Sequence, residues 1–145
     1  MKSLLISHCL LGEKVRYDGD HCSLRADYIA RLKSKYKLIF ICPEVMAGMG
    51  VPRAPIELKD GKIINQEGRD LTQDFDPVKV EIKKLIDTHS IEYALLKEES
   101  PSCGKSRVYS GDFDGVVIEG TGLIADFCLS LGLQVFNEEE VSKLL

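Results

Sequence analysis

Five cysteines are spread along the chain at positions 9, 22, 42, 103 and 128, and no two of them have the close CxxC spacing of a structural zinc pair. A thiol can pack in a core, form a disulfide, attack an electrophile or bind a metal. An odd number of widely separated cysteines argues against a disulfide framework, as does the reducing cytoplasm in which we expect this protein. Cys128 shares the apolar side of a helical pattern with Leu123, Ile124, Phe127 and Leu131 and is read as a core residue. Cys22, beside His21 near the start of the first predicted helix, is read the same way. Cys9, Cys42 and Cys103 differ. They sit in "SHCLLG", "CPEVMAG" and "ESPSCGKS", loops rich in proline, glycine and polar groups where packing has no need of a thiol.

These three loops follow three apolar strands. "SLLIS" (Ser3–Ser7), "KLIFI" (Lys37–Ile41) and "IEYALLK" (Ile91–Lys97) are short apolar runs of the kind that form buried strands. Between the first two, "SLRADYIARLKSKY" repeats Leu24, Tyr28, Ile29 and Leu32 at helical spacing. Between the second and third, Val78, Ile82, Leu85 and Ile86 mark another amphipathic helix, with Pro77 in its first turn. "IELKDGKII" carries Asp60-Gly61 between extended arms and predicts a β-hairpin. "YSGDFDGVVIEG" reads as a turn-rich connection, "GTGLIADFCLSLG" as a third helix, "LQVFN" as a last strand and "EEEVSKLL" as a terminal helix. Strands alternating with helices predict a three-layer α/β fold. It would have an open, mainly parallel, Rossmann-like sheet covered by helices on both faces, with a small hairpin insertion, as a single domain over residues 1–145. Such sheets bind ligands beyond the carboxyl ends of their strands. Cys9, Cys42 and Cys103 should therefore gather on one rim.

Which metal would three thiolates hold? Adjacent side chains at a strand end diverge, so His8 is a poor fourth ligand beside Cys9. Three thiolates without a fourth donor suit an iron–sulfur cluster with one iron left open, which acts as a Lewis acid. Spacing alone leaves packing and a metal-free reactive thiol as alternatives. The rest of the composition narrows the class. At 44% hydrophobic and 29% charged residues the chain is that of an ordinary globular domain. A net charge of −4 and the lack of a basic aromatic stretch argue against nucleic acid. Its apolar runs are too short to cross a bilayer.

The motifs "SHCLLG…VRYDG", "CPEVMAG…PRAPIEL", "EGRDLTQDF", "LLKEESPSCG" and "YSGDFDG…GTGLIA" occur in this order over nearly the whole chain. Together they resemble the bacterial family known as domain of unknown function 523, whose characterised relatives are thiouracil desulfurases. The resemblance implies a [4Fe-4S] cluster held by Cys9, Cys42 and Cys103, the trio selected by the strand argument. It also implies a non-redox reaction in which water replaces the sulfur of a thiolated pyrimidine, a small-molecule substrate. The acid of "CPE" carries over as Glu44 and the first serine of "SPSCG" as Ser100, the candidate catalytic pair. Two departures stand out: His8 replaces a small residue before the first cysteine, and "AGMGVPR" replaces a double glycine.

Read as chemistry, Glu44 lies two residues past a ligand and is placed to take a proton from water. Ser100 would orient the substrate, with Ser102 as the alternative hydroxyl for that role. Arg53, between two prolines, either meets a substrate carbonyl or phosphate or braces its loop against Glu57 or Asp70. Tyr17 is a candidate lid over a flat ring. "GTG" opens a helix whose amino end is a weak anion signal, and Lys105 could offset cluster charge. Two other functions fit the same residues: an iron–sulfur sensing module without catalysis, and a metal-free sulfurtransferase carrying a persulfide on Cys103.

Overall fold

A computed structural model describes residues 1–20 and 22–145; His21 lies outside the described residues. In chain order the elements are β1 (Lys2–Ser7), α1 (Ala26–Lys35), β2 (Tyr36–Ile41), the single turn α2 (Pro43–Met46), β3 (Ile56–Lys59) and β4 (Lys62–Asn65). There follow α3 (Asp76–His89), β5 (Tyr93–Leu96), β6 (Arg107–Tyr109), β7 (Val117–Glu119), α4 (Leu123–Ser130) and β8 (Gln134–Asn137). Segments of 3-10 helix cover His8–Leu11, Thr72–Phe75 and Glu138–Lys143.

Four strands form the central sheet in the order β2-β1-β5-β8, and every pairing is parallel. Side-chain alternation along the strands sorts the core into two halves. Leu4 and Ile6 of β1 and Leu95 of β5 pack with Leu10, Leu32 of α1, and Val141 and Leu144 of the carboxyl-terminal segment. Leu5, Ala94 and Leu96 face the other way, onto Val78, Ile82 and Ile86 of α3 and Ile124 and Cys128 of α4. The sheet therefore has helices on both faces. Each fully buried leucine or isoleucine contributes about 1.5–3 kcal/mol.

Local chemistry accounts for the helix over 76–89. Val78, Ile82 and Ile86 recur four apart and are buried, Pro77 occupies the first turn, and Lys83 pairs with Asp87 one turn on at 2.8 Å. Ser90, at φ 50°, ends it in the left-handed region. The Asp60-Gly61 turn of the β3–β4 hairpin has positive φ at both residues (51° and 77°), as a two-residue hairpin turn requires.

Three segments differ from the sequence reading. The connection after the thiol loop is itself an antiparallel pair, β6–β7, so there are two hairpins among the described residues. All three β7 residues are exposed, which gives the sequence no buried-face signal. The first helix starts at Ala26, leaving Cys22 in the preceding loop with its amide donating to the Cys9 carbonyl at 3.1 Å. The terminal helix is a 3-10 segment capped by Asn137, whose side chain accepts from the Glu139 amide while Glu140 accepts from the Asn137 amide.

Candidate active site at the sheet crossover

The chain passes from β1 out to β2 on one side, then returns across β1 to β5 on the other. The carboxyl ends of β1 and β5 thus flank a topological switch point, where the loops diverge and leave a crevice. A cavity of about 410 Å³ opens there. Cys9, from the 3-10 turn after β1, lines it together with Cys42, at the amino cap of α2, and Cys103, from the loop after β5. The two hairpins supply a wall, through Ile56 and Glu57 of β3 and Tyr109 and Phe113 of the β6–β7 unit. Glu57 ties these two units together by accepting the Gly111 and Phe113 amides at 2.9 and 3.1 Å.

The first turn of α2 carries Glu44 inward, because Pro43 starts the helix directly after Cys42. Glu44 is only 7% exposed. Its Oε1 accepts the Ser102 hydroxyl at 2.8 Å, and its Oε2 faces the Cys42 thiol at 3.9 Å. Ser100 Oγ in turn accepts the amides of Ser102 (3.2 Å) and Cys103 (3.1 Å) and lies 3.1 Å from Ser102 Oγ. Ser102 donates its hydroxyl to Glu44, so Ser100 is left to donate to Ser102. A hydroxyl chain then runs from the cavity lining to the buried carboxylate.

The thiol loop is fixed from behind by α4. The amides of Leu123, Ile124 and Ala125 donate to the carbonyls of Pro101 and Ser102 at 2.8–3.0 Å, and Gly122 N donates to Gly104 O at 2.6 Å. The helix start suggested as an anion signal is thus occupied by protein carbonyls. These contacts need two glycines: a Cβ on Gly122 would lie 2.6 Å from the Ser102 backbone, and one on Gly104 would lie 2.7 Å from Arg107 O.

Burial pushes the Cys9 thiol up to about 12, with the neighbouring Cys22 and Cys42 thiols adding to the effect. Burial also holds Cys103 well above its ordinary range, reinforced by the charge of Glu44 and opposed by hydrogen bonds from Ser7 and Ser102. Cys42 is raised by burial and then by Glu44. A thiol nucleophile needs the opposite shift, so this environment disfavours a metal-free persulfide carrier. Thiolates become favourable here when a cation binds them. Among the described residues, no three His, Cys, Asp or Glu side chains close around a single ion. The donor set of three thiols around a shared cavity instead fits an iron–sulfur group, in which separate irons take separate cysteines.

The other residues singled out from the sequence fall as follows. Arg53 lines the cavity; its Nη1 donates to Gly50 O at 3.3 Å, and its Nε is buried without an acceptor among the described residues. Neither proposed brace holds it, since Glu57 binds loop amides and Asp70 accepts from Thr72. Tyr17 lines the rim, half-exposed, and its carbonyl accepts the Arg53 amide at 2.7 Å. Ser102 is fully buried behind the lining and meets it through Glu44, Ser100 and, at 3.7 Å, the Cys103 sulfur. His8 lines the rim with its ring stacked on Phe40 at 4.1 Å. Lys105 is paired with Glu140, and Cys128 is buried in the core. Sequence reasoning passed over Glu98 and Asn137. Glu98 and its partner stand 39 residues apart, a separation no local pattern signals.

A model of the family described as 2-thiouracil desulfurase matches residues 4–140. An uncharacterised protein of Bacillus subtilis strain 168, YbbK, is 31% identical over 152 aligned positions, spanning 98% of this chain and 99% of that one. Among solved structures, the [4Fe-4S]-dependent thiouracil desulfidase TudS superposes with a TM-score of 0.93 at 35% identity, over 99% of this chain and 95% of that one.

Proposed function

We propose, from the premise that this chain belongs to the 2-thiouracil desulfurase family, that it removes sulfur from a thiolated pyrimidine by hydrolysis of the C=S bond. Water supplies the oxygen of the product carbonyl, sulfide leaves, and no electron is exchanged. We take residues 1–145 as one domain for this reaction. We assign it to the cytoplasm, where five unpaired cysteines stay reduced. No helix among the described residues is long and apolar enough to cross a membrane. The observation that carries the reading is the convergence of Cys9, Cys42, Cys103 and Glu44, from three separate loops, on the cavity at the strand crossover.

Cys9, Cys42 and Cys103 are the residues that would hold a [4Fe-4S] cluster. When bound, the cluster supplies an iron without a protein ligand, a soft Lewis acid for thiocarbonyl sulfur. Glu44 accepts the proton of the attacking water. Its Oε1 is held by Ser102, and a Cys42 thiolate has no proton to donate, which leaves Oε2 free to accept from water. Ser100, on the cavity side of the hydroxyl chain, orients the pyrimidine and connects it to Glu44 through Ser102. Arg53, on the cavity lining, offers its guanidinium to a polar group of the substrate, and Tyr17 covers the ring at the rim. The surrounding β3 and β6–β7 walls limit bulk water.

The test is to prepare the protein without oxygen, measure iron and acid-labile sulfide, and follow sulfide release from 2- and 4-thiouracil. Iron-loaded wild type should release sulfide, and Cys9→Ser, Cys42→Ser or Cys103→Ser should abolish both iron and activity. Cys22→Ser and Cys128→Ser should spare both. Iron retained by all three single ligand variants, or loaded protein inert on every thiopyrimidine, would overturn the proposal.

A further inference from the structure

The loop that carries Ser100, Ser102 and Cys103 is closed by a carboxylate outside the chemistry described above. Glu98, two residues past the end of β5, is 1% exposed and accepts four hydrogen bonds. Its Oε1 takes the amides of Ser106 (2.9 Å) and Arg107 (3.0 Å). Its Oε2 takes the Ser106 hydroxyl (3.0 Å) and Asn137 Nδ2 (2.7 Å). Two oxygens with four donors are saturated, and none of the four donors is a cationic side chain. The two amides belong to the far end of the thiol loop, and Asn137 is the last residue of β8. One side chain therefore joins the start of the loop, its end and the neighbouring strand.

The chain around Glu98 repeats the pattern. Its own amide donates to Glu138 at 2.8 Å. Lys97 pairs with Glu138, Lys105 with Glu140, and Arg107 with Glu139. The three consecutive acids after β8 thus each hold one cation of the segment that flanks Cys103. A loop needed only for packing would be served by an apolar residue at 98. A saturated buried carboxylate instead fixes direction, because each of its bonds is lost if the loop shifts.

We propose that Glu98, oriented by Asn137, is a positioning residue that holds the 99–106 loop closed so that Cys103 stays beside Cys9 and Cys42. The proposal rests on the reading of those cysteines as cluster ligands. Glu98→Gln keeps an acceptor for the two amides but turns an NH₂ group towards the Asn137 NH₂. Asn137→Asp faces the Glu98 carboxylate with like charge. When both changes are made, the new amide donates to the new carboxylate and the bond returns with its polarity reversed. The carboxylate introduced by Asn137→Asp also retains an oxygen to accept the Glu139 amide, as Asn137 does.

The test compares Glu98→Gln, Asn137→Asp and the double variant as full-length chains. Iodoacetamide labelling of iron-free protein is resolved by mass spectrometry at Cys103 and at Cys128, which is buried in α4 and reports global unfolding. A charged buried hydrogen bond sets the scale: each single variant should label Cys103 roughly tenfold faster or more, with Cys128 unchanged. The double variant should return Cys103 to within about twofold of wild type. Iron-loaded single variants should lose iron to a chelator faster than wild type by a similar factor. Cys103 at the wild-type rate in both single variants, Cys103 and Cys128 rising together, or no recovery in the double variant would overturn the positioning role. Wild type that takes up no iron would overturn the cluster reading instead.

Discussion

Ser100 and Ser102 are two residues apart and chemically identical, yet the fold gives them different work. Ser102 is fully buried and donates its hydroxyl to Glu44 Oε1, while Ser100 lines the cavity and receives two amides on its oxygen. In the proposed reaction, Ser102 fixes the base and Ser100 meets the substrate. This division makes Glu44 the residue whose loss should separate catalysis from assembly. Glu44→Gln preserves the shape of the side chain and an acceptor for Ser102, and the oxygen it replaces meets the Cys42 sulfur only at a long 3.9 Å. Removing a general base costs roughly 10²–10⁴-fold in rate. We expect kcat for sulfide release to fall by that range while iron content per chain stays at the wild-type level. Loss of iron in parallel with activity would mean that Glu44 acts on the cluster site and not on water.

The elements that present these residues are held by backbone contacts that leave no room for a side chain, and α4 is where this can be tested. Its first three amides bind the carbonyls of the thiol loop, and Gly122 lets the two backbones meet. In Gly122→Ala the new methyl would press on the Ser102 carbonyl and the Gly104 amide, backbone atoms that cannot turn aside. Overpacking of this sort costs about 1–3 kcal/mol. We expect thermal unfolding to shift down accordingly, with faster loss of iron. Gly50→Ala, where the nearest atom is 3.9 Å away, should leave both unchanged. At this scale the sequence was informative in proportion to how local the cause was. β1, β2 and β5 were legible because each is an apolar run cut off by a proline- or glycine-bearing loop, and a parallel sheet then forces Cys9, Cys42 and Cys103 onto one rim. The β6–β7 pair was not legible, since Val117, Ile118 and Glu119 are all exposed and show no alternation. Nor was the α4–loop contact: Gly122 reads only as a helix start with a weak anion signal, and no local pattern places it against Ser102 and Gly104.

Across the whole molecule, the thiol trio draws on both ends of the chain: the turn after β1 supplies Cys9, and the segment after β8 clamps the loop that carries Cys103. That clamp is ionic, so it should respond to acid. Burial pushes the Glu140 carboxyl up, but hydrogen bonds from Lys105, Lys143 and the Asn137 amide outweigh it and bring it down to about 2. Glu98 also lies below its ordinary value: burial raises it, and the bonds from Ser106, Arg107 and Asn137 more than reverse this. A carboxylate whose folded value lies below its unfolded one stabilises the fold fully above the unfolded value. That contribution drains away as pH falls from about 4.5 towards about 2. The thermal midpoint should therefore drop through this window, and Cys103 should become accessible to an acid-tolerant thiol reagent before Cys128 does. Glu140→Gln removes one titrating partner and should flatten the slope while lowering the midpoint at neutral pH. A midpoint that ignores pH across the window, or a Glu140→Gln variant with the wild-type slope, would show that the carboxyl-terminal acids do not hold the loop.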